Sequence, residues 1–332
     1  MSSSPAIKFL SEETDYDYIL TGSLLGIAIT HTNSYPVGYV ESMTLLPMSF
    51  QEFLIAQGIT KEQIHTLRQH FETRTPVLEP IHKKYLEYFR LYIILGGMPE
   101  VVQNYIQTKD IPSSRKIQKE IVEGYYRDMS KYASASDKVK THDCLQSIPS
   151  QLAKENKKFQ YKLIQSGGNA RHFETSLQWL KDSGTILPCY RLKCIDYPPT
   201  AYRELSIFKI YMLDTGLLMS MFDDTSVYQI ITNNLGIYKG AIYENIAAQI
   251  LYTNHHDLYY FEPSTRSEID FIYECEGMLY PIEIKSSDNT RSKSLQAYIK
   301  KYNPKKAFRF STKNISTSGK IESYPIYMLM FL

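Results

Sequence analysis

Four residues in the C-terminal part of the chain have the types and order to work on a phosphodiester: Glu244, Asp270, Glu283 and Lys285. A strand over Ser267–Tyr273 places Ile269, Phe271 and Tyr273 on one face and Glu268 and Asp270 on the other. Glu274-Cys-Glu-Gly277 reads as a turn. The next strand, Met278–Ser286, alternates again, with Ile282 and Ile284 on one face and Glu283 and Lys285 on the other. The hairpin therefore presents Asp270, Glu283 and Lys285 together. A preceding helix with the stripe Ile242, Ile246 and Ile250 can bring in Glu244.

Carboxylates so placed suit Mg²⁺ or Mn²⁺, which take hard oxygen ligands; Glu244, Asp270 and Glu283 are the expected metal ligands, helped by the Ile284 carbonyl. A cation there would acidify a bound water and stabilise a pentavalent phosphate. Lys285 would orient that water or offset developing charge, so Asp270, Glu283 and Lys285 are the expected catalytic residues. The plainer reading is an edge hairpin whose polar face forms ordinary salt bridges. A lone Glu-X-Lys does not separate the two readings; the order helix Glu, strand Asp, turn, strand Glu-X-Lys favours the site.

Ten basic residues lie between Lys285 and Lys320, interrupted by one acid, Asp288. Arg291, Lys293, Lys300 and Lys301 are the DNA-binding candidates among them, the last three on a helix striped by Leu295, Tyr298 and Ile299. Net charge is only +2 over 332 residues, so a nucleic-acid surface has to be a local patch.

The elements that must carry these residues suggest a multi-domain α/β protein. A short apolar strand is expected at Tyr18–Ser23. Ser49 followed by Glu52 has capping-box spacing and opens a helix over Phe50 to about Ala56. Helices fill residues 60–132, broken at Gly96-Gly-Met-Pro99, with the last running from about Ser113 to Tyr132. Residues 137–195 read as helix, turn, helix, strand, the order of a winged helix, decorated by Lys154, Lys157, Lys158, Lys162, Arg171 and Lys181. These lysines suit DNA backbone contact and equally suit a solvated surface. The expected divisions are 1–58, 59–135, 136–235 and 236–332.

The four cysteines form no CxxC pair and have no histidine cluster, which argues against zinc and disulfides. There is no basic segment followed by an apolar one at the N-terminus, and no apolar run near the ~20 residues a membrane helix needs. A cytoplasmic protein with no membrane partner is expected.

Several motifs together resemble a large family of prokaryotic AAA-type ATPases, in the part that follows the Walker motifs. They are Ile19-Leu-Thr-Gly-Ser-Leu-Leu-Gly26, Tyr35-Pro-Val-Gly-Tyr-Val-Glu41, Pro47-Met-Ser-Phe-Gln-Glu-Phe53 and Gly96-Gly-Met-Pro-Glu-Val-Val102. Asp128-Met-Ser-Lys131, Tyr211-Met-Leu-Asp-Thr-Gly-Leu217, Gly240-Ala-Ile-Tyr-Glu-Asn245, Glu268-Ile-Asp-Phe271 and Pro281-Ile-Glu-Ile-Lys285 complete the set. The C-terminal domain of that family resembles the PD-(D/E)XK, restriction-endonuclease-like nucleases. The resemblance implies a remnant of an ATPase core over 1–58, with Thr21 and Ser23 on its nucleotide-sensor strand, and a nuclease-like domain over 236–332. The GxxxxGK[ST] loop that cradles phosphates and the acidic strand that should precede the sensor strand are both missing from these residues. ATP as a cofactor and ATP hydrolysis are therefore not expected of this chain alone.

The expected function is DNA binding with a metal-dependent deoxyribonuclease site. The alternatives are a non-catalytic module that docks DNA, a protein partner or a second copy, and a fragment of a complete ATP-dependent DNA-processing protein.

Overall fold

The computed structural model describes residues 13–19, 41, 43–132, 135–231, 238–264, 267–286 and 292–332. The strand expected at Tyr18–Ser23, with Thr21 and Ser23, falls outside the described residues from Leu20 onward, and so does Arg291.

Helices come first. α1 (Phe50–Ala56) starts at the expected capping box, with the Ser49 side chain accepting from the Glu52 N–H and Glu52 reaching back to the Ser49 N–H at 2.7 Å. α2 (Lys61–Thr73) uses the same device between Thr60 and Gln63. α3 (Glu79–Leu95) and α4 (Pro99–Thr108) are separated at Gly96-Gly97, and both carry proline in their first turn, where its missing N–H costs nothing. α5 (Ile111–Tyr132) and α6 (Ala135–Leu152) follow. A 3-10 turn (Tyr161–Leu163) and α7 (Ala170–Asp182) lead to β1 (Ile186–Leu192).

The expected helix-turn-helix-strand order is present, but β1 is not a free wing. It pairs antiparallel with β2 (Arg203–Met212) and parallel with β3 (Tyr259–Ser264), in a four-stranded sheet ordered β2-β1-β3-β4. The strands of this sheet come from both sides of residue 236. After β2 run α8 (Thr215–Ser220), α9 (Asp224–Ile231) and α10 (Lys239–Thr253). Every residue of α10 from Ala241 to Leu251 is buried, because sheet strands, α8 and the C-terminal turn surround it.

The expected single strand over Ser267–Tyr273 is two strands. β4 (Ser267–Ile269) closes the first sheet, and β5 (Phe271–Cys275) opens a second, ordered β5-β6-β7-β9-β8. The chain changes sheets at Asp270. β5 and β6 (Met278–Ile284) form the expected hairpin around Glu276-Gly277, both at positive φ (51° and 72°), the geometry of a two-residue type I′ turn. The hairpin is not at an edge on the β6 side: β6 pairs parallel with β7 (Ala307–Ser311) after the crossover helix α11 (Lys293–Tyr302). Burial on both faces follows, and Ile272 and Pro281 are as enclosed as Phe271 and Ile282. β8 (Ser316–Ser318) and β9 (Ile321–Pro325) complete the sheet.

The C-terminal turn, Ile326–Phe331, is wholly buried and packs against α1, α2 and α3. His82 Nδ1 and the Tyr327 hydroxyl share a hydrogen bond at 2.9 Å, and Phe71 lies 4.4 Å from Tyr324 and 5.7 Å from Phe331, centroid to centroid. The protein is a mixed α/β molecule, with two sheets among the described residues. All four cysteines are free thiols; Cys144 and Cys189 are buried in the core.

Candidate functional site

The bend between the two sheets is where the expected site lies. Asp270 sits on that bend, and its Oδ2 accepts the Ile284 backbone N–H at 2.8 Å. This hydrogen bond ties the junction of β4 and β5 to the end of β6. Glu283, one residue earlier on β6, is 4% exposed. Its Oε1 pairs with Lys285 Nζ at 2.6 Å, while its Oε2 is buried with no hydrogen-bond partner among the described residues. Lys285 continues the ladder beyond β6 by donating its backbone N–H to Phe310 O at 2.8 Å. Its side chain stays about one quarter exposed, at 28%. Asp270, Glu283 and Lys285 are thus neighbours on one end of the hairpin, as the alternation predicts.

Glu244 faces the same cluster from inside α10. Its Oε2 accepts from the Tyr211 hydroxyl at 3.2 Å and lies 3.8 Å from Lys209 Nζ, and its Oε1 pairs with Lys157. Lys209 is completely buried on β2, pairs also with Glu268, and lies 4.7 Å from the centroid of the Tyr260 ring. Sequence reasoning missed Lys209, Tyr211 and Lys157 as members of this cluster, and took Glu268 only as a face partner of Asp270. One signal was available: a lysine inside the apolar run Phe208-Lys-Ile-Tyr-Met-Leu213 has to find a buried counter-charge.

The electrostatics follow from four carboxylates facing three ammonium groups. Burial, and then the charge of Glu244, push the Asp270 carboxyl up to about 8, against the pull of Lys209 and Lys157. Burial would also raise Glu244, but Lys157 and Lys209 outweigh it and hold that carboxyl below its ordinary value. Lys209 is raised well above an ordinary lysine: burial works against its charge, and Glu244, Glu268 and Asp270 overcome it. Lys285 is likewise raised by its bond to Glu283, against burial.

Two observations bear on a cation. Among the described residues, no three of His, Cys, Asp and Glu are gathered closely enough to hold a metal ion. Ammonium groups are bound to Glu244 and Glu283 instead. Glu283 has a buried oxygen with no hydrogen-bond partner among the described residues, and it is a hard donor of the kind a divalent cation takes. Asp270 and Glu283 are the residues that could hold one.

The DNA-binding candidates Lys293, Lys300 and Lys301 are exposed on α11. The opposite face of that helix packs Leu295 and Tyr298 against Ile269, the neighbour of Asp270. Other members of the basic run have structural work. Lys320 Nζ donates to Asn303 Oδ1 and Pro304 O at 2.6 and 2.8 Å, and Arg309 donates to Ser323 Oγ at 2.7 Å. In the expected wing, Lys158 turns inward to Glu262 at 2.7 Å, as Lys157 does to Glu244.

Residues 239–329, which hold Glu244, Asp270, Glu283 and Lys285, match a family model described as a domain of unknown function (DUF4143). Residues 86–228 match a second, also described as a domain of unknown function (DUF8612). The C-terminal domain is one found in AAA-ATPase-associated proteins, which agrees with the resemblance at that level. No curated protein and no solved structure matches the chain significantly. Among the described residues, no helix is long and apolar enough to cross a membrane.

Proposed function

We propose that the C-terminal region binds DNA and, with Mg²⁺ or Mn²⁺, cleaves its phosphodiester backbone. The observation that carries this reading is Glu283: a buried carboxylate oxygen without a partner among the described residues, beside Asp270 and within reach of Lys285. A buried polar atom left unpaired is costly unless something fills the place. The exposed lysines of α11 supply the charge that a polyanion needs next to such a cluster. The AAA-type family and its PD-(D/E)XK-like C-terminal domain support the reading by resemblance. ATP hydrolysis is not part of it.

In this reading Asp270 and Glu283 would hold the cation, and Ile284 fixes the Asp270 carboxyl through its N–H. A cation held there would supply an acidified water and charge to offset that of phosphate. Lys285, partly exposed, orients the attacking water while Glu283 keeps its ammonium in place. Lys293, Lys300 and Lys301 hold the strand by its phosphates.

The test is incubation of supercoiled and linear DNA with Mg²⁺ or Mn²⁺, comparing the wild type with Glu283→Ala and Lys285→Ala. Cutting by the wild type alone supports the reading. Equal cutting by all three proteins, or by none, defeats the nuclease assignment.

A second reading has its own observation. Lys157 and Lys209 already neutralise Glu244, and Lys285 neutralises Glu283, so the cluster is a stable ion network as it stands. That arrangement favours a non-catalytic module that docks DNA or a protein. DNA retention without cleavage, weakened by Lys300→Ala with Lys301→Ala, would support it.

A further inference from the structure

The corner where α2 turns into α3 grips the end of the second sheet through polar contacts. Arg74, at φ 57° just after α2, sets its Nη2 2.9 Å from Glu322 Oε1 on β9. The Asn314 side chain clasps Val77, accepting its N–H at 3.0 Å and donating to its carbonyl at 2.6 Å. His82, buried on α3, is held at both ring nitrogens, by Thr312 O at 3.1 Å and the Tyr327 hydroxyl at 2.9 Å. Thr312 directly follows β7, the strand paired with the one that carries Glu283.

These partners leave His82 one protonation state. A carbonyl only accepts, so Nε2 carries the hydrogen and donates to Thr312 O. Nδ1 is then the bare nitrogen and accepts from the Tyr327 O–H, whose proton is retained because burial raises that phenol. A second ring proton on Nδ1 would meet the hydroxyl proton, which would have to turn away inside a wholly buried residue.

Little nearby charge would support an imidazolium. Glu79, one turn earlier on α3, is exposed and faces Lys83 at 3.6 Å, and Lys83 itself repels a charged ring. Arg74 is paired with Glu322 of β9. The 312–314 loop offers the Thr312 carbonyl and the exposed Lys313, and the C-terminal turn offers Tyr327, whose ring lies 5.5 Å from that of Tyr85. Burial therefore outweighs the pull of the Thr312 carbonyl and Glu79, and holds the ring below the ordinary histidine value.

We propose that His82 is an acid-sensitive latch: its neutral ring fastens the α2–α3 corner to the 312–314 loop and the C-terminal turn, and a second ring proton opens that seam. A buried ring that resists protonation binds its proton more weakly than an exposed one. The latch is therefore fully closed above about pH 6.5 and loosens as pH falls below that value. It depends on neither a cation nor DNA at the carboxylate cluster.

NMR titration of the histidine-labelled full chain reads the ring directly and needs no variant. His82 should be neutral at pH 7.5, with its hydrogen on Nε2, and should take its second proton below the ordinary value of 6.5. Hydrogen exchange, corrected for the intrinsic effect of pH, reads the seam at the Val77 amide, which is bound to Asn314 Oδ1. Its protection should fall severalfold between pH 7.5 and pH 5.5 and by no more than about tenfold, the limit set by an opened ring that protonates at about 6.5. His82→Gln keeps a donor for Thr312 and an acceptor for Tyr327 and cannot titrate, so its protection should be equal at the two pH values. A ring charged at pH 7.5, or one with its hydrogen on Nδ1, overturns the latch. So does wild-type protection that is unchanged at pH 5.5, or that falls equally in His82→Gln.

Discussion

The Asp270 carboxylate accepts the backbone N–H of Ile284 at 2.8 Å, so the residue at which the chain leaves one sheet is bound to the last residue of a central strand in the other. The bond ties the bend to the end of β6, and the charges of Glu244 and Glu283 act on the same carboxyl. Asp270→Asn keeps an acceptor for Ile284 but cannot ionise to bind a cation. It is expected to fold and to lose the rise in thermal midpoint that Mn²⁺ gives the wild type. A Mn²⁺-dependent rise of equal size in Asp270→Asn would take Asp270 out of the site.

Lys209 is a completely buried ammonium between Glu244 and Glu268. Lys209→Met removes it and leaves two carboxylates with less compensation, at a cost of about 3–5 kcal/mol. Lys209→Met combined with Glu268→Gln should cost less than the sum of the two single changes, because the second removes part of the charge stranded by the first. Urea unfolding of the four proteins measures this. Strict additivity would show that the two residues do not share an interaction.

Asp214 caps α8 by accepting the Leu217 N–H at 2.8 Å, and also accepts the Gly97 N–H at 2.6 Å from the break between α3 and α4. Burial pushes its carboxyl from 3.8 up to about 6, against the pull of the Gly97, Leu217 and Gly216 N–H groups. The folded state therefore binds this proton more tightly than the unfolded one. Its contribution to stability is present in full below about pH 4 and is lost as pH rises through 6, a change of about 3 kcal/mol. Asp214→Asn cannot titrate, so the difference in unfolding free energy between wild type and variant should vary by about 2–2.5 kcal/mol between pH 4 and 7. A difference independent of pH would rule out a raised carboxyl.

Gly216 of the same junction and Gly124 elsewhere separate close packing from free space. A Cβ on Gly216 would meet the Leu95 carbonyl oxygen at 2.4 Å, whereas one on Gly124, inside α5, meets nothing within 4 Å. Gly216→Ala should cost about 1–3 kcal/mol through forced backbone displacement. Gly124→Ala should add about 0.5–1 kcal/mol, since alanine loses less backbone entropy in a helix. Thermal unfolding reads both, and equal midpoints for the two variants would show that the junction yields easily.

Local chemistry determined much by itself. The Ser49–Glu52 capping box, the proline start of α4, and the turn at Glu276-Gly277 each depend on residues within four positions of one another, and each stands where its pattern puts it. So does the meeting of Asp270, Glu283 and Lys285 at one end of a hairpin, because a period of two fixes the faces of short strands. Tertiary structure decided the rest. The bend at Asp270 exists because β4 and β5 find hydrogen-bond partners in different sheets, and no property of Ser267–Tyr273 records where those partners are. Lys157, Lys209 and Tyr211 reach Glu244 across 87, 35 and 33 residues, as charges and hydroxyls excluded from water must find each other wherever the chain brings them. Pattern placed the carboxylates; only the packing of β2, α10 and the 153–160 segment around them decided that ammonium groups would neutralise them.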